Sequence, residues 1–431
     1  MTLIDQFPRL SAYDPGAVGE GGLDPLGLGA IADRIAEVLA PGLRARMSLP
    51  HLVTVTAVGA MAYQSLHDLR TEDGKTTIDI AFEWLVVEAV VRHAHRDSWA
   101  GLPGIQKAAR AKASNERLSS RTYLNGPRVF GFTGVYRPFS RDAGVLTLDD
   151  LPAENAALLV RAWEKDSDLR GFSDGIPSTR GGQLRKNIAD ACKRSLEKAE
   201  CAAREGGNFL ETLAAKLWPA TGQKNEKRVL RGLIDSSQHD IRNDLAKCLL
   251  KDMPHIDASQ RMLAKRLEQS ASRPTQIALQ AAFDYEEAAT VLDNAFRRFL
   301  AYTTQQHGSV ISRTESLKTP YLEESARKIS GLVSRAIDSV DGLADERLSR
   351  DTAQALELFK SPQKTADFLD SLISRHEEVQ QNKKKLPWIE KIGGDWTVRT
   401  PYRDQSGDLD DEVWVHPMRI TTLANFLRRT A

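Results

Sequence analysis

One stretch constrains this chain more than any other. PTQIALQAAFDYEEAATVLDNAFRRFLAYTTQQHG, Pro274 to Gly308, reads as a single long helix with Gly308 as its stop. A helix of that length draws its stability from partners that cover its apolar side, so its surroundings decide the fold class. Those surroundings are helical too. From about residue 180 onward the spacing predicts helix after helix: RGGQLRKNIADACKRSLEKAECAAREGG ending in a glycine pair, NFLETLAAKLWP ending in proline, NEKRVLRGLI, HDIRNDLAKCLL, LEESARKISGLVSRAIDSV, DTAQALELFK and SPQKTADFLDSLISRHEEVQQNKKK. No period with matching residues marks a helical-repeat array.

The N-terminal part predicts helices of a different texture. LDPLGLGAIADRIAEVLAPG carries one apolar stripe, with Asp24 as cap, Pro25 in the first turn and Pro41-Gly42 as the stop. SLPHLVTVTAVGAMAYQSLHDL, capped by Ser48, and TIDIAFEWLVVEAVVRHAHR are apolar on nearly all sides and belong at the centre of a core. Helices follow through residue 170, with a strand-like VLTL and a helix capped by Asp149-Asp150. Helices followed by a short extended piece are compatible with a winged-helix-like unit. After Lys385 the pattern changes. LPWIEKIGGDWTVRTPY and EVWVHPM alternate like strands around the polar turn RDQSGDLDD, and ITTLANFLRR closes as a helix.

The fold class is therefore mainly α. We divide the chain into an irregular arm over 1–22, a helical N-terminal domain with a winged-helix-like unit over 23–170, a helical middle over 171–385 and a small α+β cap over 386–431. The length of 431 residues also suggests two or three domains. Hydrophobic content of 41% is that of a globular chain. Three cysteines without a CxxC pair fit reduced thiols. With no signal-peptide pattern and no run of roughly 18 apolar residues, we expect a cytoplasmic protein without a membrane span.

No motif announces catalysis. His93 and His95, two apart on a helix, point in different directions and do not make a metal site. His239 with Asp240 and Asp244 reads as a solvated helix start. There is no GxxxxGK[ST] loop and no GxSxG elbow, and no cofactor is expected. A Mg²⁺ nuclease would need an acid followed by an acid-x-lysine on adjacent strands. Asp79, Glu83 and Glu88 fall in a helix, and Glu390-Lys391 with Asp395 stand in the wrong order. A cryptic nuclease stays as an alternative.

Charge is the informative feature. The whole chain carries +1, yet residues 101–145 hold eight cations against Glu116 and Asp142, a local surplus of six. The cations are Lys107, Arg110, Lys112, Arg117, Arg121, Arg128, Arg137 and Arg141. Concentrated cations neutralise phosphates and release counterions. Interleaved rings at Tyr123, Phe130, Phe132, Tyr136 and Phe139 could stack on bases. But Val129, Phe132, Tyr136 and Phe139 recur at helical spacing, so we assign the rings to a core, with Gly131 and Gly134 permitting close packing. The arginines then form an exposed face for nucleic acid, for a protein partner or for solvent. A second basic set, Arg180, Arg185, Lys186, Lys193 and Arg194, reads equally as a solvated helix, and NKKK at 382–385 as a linker.

Three blocks carry a resemblance. DPLGLGAIADRIAEVLAPG followed by SLPHLVTVTAVGA resembles the "D-x-LGLGAI-D-…-PG" opening of bacterial proteins encoded in anti-phage defence neighbourhoods. LPGIQKAARAKASNERLSSRTYLNGPRVFGFTGVYR resembles their "G-I-…-LxxLxSSxYLxGLxxxGIxR" block. EVWVHPMRITTLANFLRR resembles a "V-H-x-x-R-I-x-x-L-x-x-L" ending, matched at His416 and Arg419 and departing at Met418, where an aromatic is usual. The helical middle is unmatched, and no catalytic residue transfers. The resemblance implies a non-catalytic component acting beside a helicase, nuclease or ATPase on foreign DNA. Together with the local charge it makes Lys107, Arg110, Arg117, Arg121, Arg128, Arg137 and Arg141 the candidate DNA-contacting set. The alternative is a helical scaffold whose 274–308 helix makes protein contacts only.

Overall fold

The computed structural model describes residues 24–203, 208–218, 223–235, 238–252 and 258–431. The arm expected over 1–22, the glycine pair at 206–207 and the proline at 219 lie outside them. Along the described chain run α1 (Gly29–Leu39), α2 (His51–Tyr63), α3 (Ile78–His93), α4 (Ile105–Ala113), α5 (Pro127–Phe130), α6 (Phe132–Asp142), α7 (Glu154–Asp166), α8 (Arg180–Lys198), α9 (Phe209–Leu217), α10 (Lys224–Asp235) and α11 (Asp240–Lys251). Then come α12 (Gln260–Glu268), α13 (Arg273–His307), β1 (Val310–Ile311), α14 (Arg313–Ser316), α15 (Leu322–Asp341), α16 (Glu346–Leu356), α17 (Thr365–Asn382), β2 (Ile389–Ile392), β3 (Asp395–Val398) and α18 (Ile420–Arg429). The protein is mainly α, with one small antiparallel sheet in the order β1-β3-β2.

Two compact units form, and both are discontinuous. One joins the chain up to Val38 to Ala258–Met418, and the other joins Leu39–Asp257 to Arg419–Ala431. The boundaries read from sequence, 170/171 and 385/386, fall inside these units. The C-terminal cap is divided, since its strands belong to one unit and α18 to the other.

The first unit is built on α13, buried along most of its length and covered by α15, α12 and α17. α1 starts at Gly29, later than expected. Asp24 still serves its beginning, because its carboxylate accepts from the N–H groups of Leu28 and Gly29 at 2.9 and 3.0 Å. The β2–β3 hairpin turns at Gly393-Gly394, both at positive φ. The third strand is Val310–Ile311, paired with Trp396 and Thr397, rather than EVWVHPM. That segment cannot join a ladder because its donors serve α13. His416 N–H donates to Glu286 at 3.0 Å and Val415 N–H to Thr290 Oγ1 at 3.4 Å. NKKK is no linker. α17 ends there, and Lys383 donates to the Asp24 carbonyl at 2.8 Å.

In the second unit α3 is the central rod, buried from Ile80 to Val91, with α2, α4, α6, α8 and α9 packed on it. α2 begins behind Pro50 with no side-chain cap, and Ser48 instead donates to the Gly101 carbonyl. Residues 145–148 form no strand. Only the isolated bridge Leu146–Pro152 appears, so this stretch builds no wing. α7 starts after Ala153 without a side-chain cap, and Asp150 has another task. α18 returns to this unit. Phe426 packs on Phe139 at 5.3 Å between ring centroids, and Asn425 donates to the Ser48 carbonyl at 2.8 Å.

Candidate nucleic-acid interface

The basic segment runs antiparallel along α3, and three carboxylates of α3 hold it in turn. Glu88, 1% exposed, accepts from Arg92 at 2.8 Å, Arg117 at 2.6 Å and the Leu118 N–H at 3.1 Å. Glu83, fully buried, accepts from the Tyr123 hydroxyl at 2.7 Å and from the N–H and hydroxyl of Thr133 at 2.8 and 2.5 Å. Asp79 takes Arg137 at 2.7 Å and the Thr77 hydroxyl. On its other side Arg137 reaches Asp150 at 3.3 Å, which also takes Arg141 at 2.8 Å.

This arrangement explains the local charge. Part of the surplus of six is offset by Glu88, Asp79 and Asp150 from outside the segment, a pairing that composition cannot reveal. Arg117, Arg137 and Arg141, expected on an exposed DNA-contacting face, are each paired with a carboxylate of their own chain. Arg128 is half exposed, donates to Thr77 Oγ1 at 2.9 Å and stands 3.9 Å from Asp79. Lys112 donates to the Val91 carbonyl near the end of α3, at 2.7 Å. Lys107 and Arg110, one turn apart on α4, and Arg121 in the following loop are exposed and carry no ion pair among the described residues.

Close packing is what lets Glu83 reach its donors. A Cβ on Gly131 would lie 1.9 Å from Glu83 Oε1, and one on Gly134 would lie 2.1 Å from the Arg128 carbonyl. No cation accompanies Glu83, so burial pushes its carboxyl up to about 7 despite the three donors. The rings divide as burial dictates. Tyr123, Phe132, Tyr136 and Phe139 are core, while Phe130 sits under Arg46 at 4.8 Å. Val129 is 63% exposed and leaves the expected apolar face, because Gly131 breaks the helix into α5 and α6 with an extended backbone.

The other candidates are engaged elsewhere. Glu390 accepts from Arg399 at 2.7 Å, and Asp79, Glu83 and Glu88 are taken up by the basic segment. His93 and His95 are exposed at the end of α3. His239 is no solvated helix start: it joins Arg242, 1% exposed, on Asp142 and docks α11 against α6. In the second basic set, Arg185 donates to the Phe172 and Ser173 carbonyls at 3.2 and 2.7 Å, while Lys186 and Lys193 are exposed. All three cysteines are buried and unpaired.

One histidine escaped the sequence reading. His51 faces a cleft of about 490 Å³, with Glu226 at 2.5 Å on Nδ1 and the Leu217 carbonyl at 2.7 Å on Nε2. The ring thus sits between a carboxylate and a carbonyl, an arrangement that favours the protonated imidazole. Burial opposes that charge and Glu226 outweighs burial, leaving its pKa raised. Both ring nitrogens are engaged by groups of the chain itself. Only the fold brings it to Glu226, from 175 residues away.

No family model, curated protein or solved structure matches the chain.

Proposed function

We propose that this protein is a non-catalytic helical adaptor that docks on nucleic acid through Lys107, Arg110 and Arg121, as one component of a bacterial anti-phage system. The observation that supports it is the contrast within one basic segment. Arg117, Arg137 and Arg141 have carboxylates of their own chain, whereas Lys107, Arg110 and Arg121 face solvent with none among the described residues. Exposed cations on one helix face and the adjoining loop suit contacts with successive phosphates. The defence setting, and a helicase, nuclease or ATPase as partner, rest on the resemblance of the terminal blocks.

The test is binding to duplex and single-stranded DNA across a salt series. We expect salt-sensitive binding whose log–log slope on duplex falls by roughly 0.9 for each phosphate that is no longer neutralised. Lys107→Glu with Arg110→Glu and Arg121→Glu should abolish it while leaving the thermal transition in place. Wild-type protein that binds neither DNA at low salt overturns the proposal. The scaffold alternative is weaker, because α13, its intended docking helix, is mostly buried within its own unit.

A further inference from the structure

Polar residues recur along α13 at intervals of four: Glu286, Thr290, Asn294 and Arg298. That spacing lines them up on one side of the helix. All four are buried, and all four meet residues 403–416, a segment without helix or strand that runs antiparallel to α13. Glu286 accepts from the His416 N–H at 3.0 Å, and Thr290 Oγ1 accepts from the Val415 N–H at 3.4 Å. Asn294 donates to the Asp411 carboxylate at 2.9 Å, and Arg298 donates to the Leu409 carbonyl. Further along, Gln305 donates to the Gln405 carbonyl at 3.1 Å. One face of a long helix thus grips an extended chain largely by its backbone, which places little demand on the sequence of that chain.

Charge adds the one specific demand. The segment carries Asp404, Asp408, Asp410, Asp411 and Glu412 against Arg403. Of the cations that meet it, Arg261, Arg297 and Lys328 also have Glu287, Asp293 and Glu324 as partners. Arg298 differs. It is 5% exposed, Asp411 at 2.9 Å is its one carboxylate among the described residues, and its Nε and Nη1 make no hydrogen bond. A buried guanidinium needs an anion, so whatever lies here must supply a carboxylate at that point. The segment itself is lightly held. Between 403 and 416 only Trp414 is buried, and the grip ahead of it is polar. Such bonds exchange for water at small net cost. We propose that this face of α13 is a docking groove for an extended acidic segment of a protein partner, and that residues 405–412 occupy it in cis as a strap the partner displaces, with Trp414 as the fixed end. The face is available only when the strap lifts. The proposal shares no residue with the cation face of α4 and stands independently of it.

The test uses the full chain and a fluorescein-labelled peptide of the strap's own sequence, RDQSGDLDDEVWVH, with a scrambled peptide as control. Gln405→Ala with Asp411→Ala loosens the strap and leaves the groove intact. This variant should bind the peptide about tenfold or more tighter than wild type does, and should not bind the scrambled one. Adding Arg298→Gln should weaken that binding by about tenfold or more, as expected when a charge-assisted hydrogen bond is removed. Amide exchange of the wild type keeps the proposal testable if a variant misfolds: residues 405–412 should exchange faster than the buried turns of α13. The proposal is overturned if the strap amides are protected like those of α13, or if the loosened variant ignores the peptide. It is also overturned if the loosened variant forms a concentration-dependent dimer that the peptide does not dissolve, because a second copy would then be the occupant.

Discussion

Glu83 is the residue on which the middle of the basic segment depends. Every group facing its carboxylate is a neutral donor, and burial holds its pKa near 7 instead of the usual 4.5. The folded chain therefore binds this proton more tightly than the unfolded chain. The stabilising contribution is full below 4.5 and is lost as pH rises through about 7. Relative to Glu83→Gln, the wild type should lose about 3 kcal/mol of unfolding free energy across that window. Urea titrations of both proteins at several pH values read this directly. Parallel pH profiles would show that Glu83 does not carry the effect.

At the scale of elements, α6 is fastened to the start of α3 and to the turn before α7 by Arg137, which is 16% exposed between Asp79 and Asp150. Truncating it leaves two part-buried carboxylates short of a partner. Arg137→Ala should cost about 2 kcal/mol, below the range for fully buried pairs because solvent reaches this one. Arg110→Ala, the same chemical deletion on an exposed face of α4, should change stability by less than about 0.5 kcal/mol. Chemical denaturation of the two variants side by side separates a fastening arginine from a presented one, and equal costs would refute the distinction.

At the scale of the whole molecule, chain order and spatial order differ. α18 is the last helix, yet it completes the unit whose other helices lie between residues 39 and 257. Its Phe426 is fully buried against Phe139, and the Leu427 carbonyl accepts from Arg231 at 3.1 Å. Phe426→Ala should cost about 3–5 kcal/mol, as a buried aromatic truncation does. Amide exchange should speed up in α6 and α11, which border α18. A cost under about 1 kcal/mol would mean that α18 adds little to that core.

Much of the secondary structure was legible because it is set locally. The apolar runs of α2 and α3, the length of α13 and the strand alternation of β2 and β3 are short-range patterns of period 3.6 or 2. The two-residue β1, the helix α12 and the absence of a strand at EVWVHPM were not legible. β1 is too short for a pattern, and the Val415 and His416 N–H groups are claimed by α13, far away in sequence. The same division governs the candidate site. Sequence alone established that residues 101–145 concentrate positive charge in a nearly neutral protein, because charge is a property of residues. Which of those charges remain available only the tertiary structure decided, because pairing is a property of distance. Packing carries Glu88, Asp79 and Asp150 to Arg117, Arg137 and Arg141, and leaves Lys107, Arg110 and Arg121 in water.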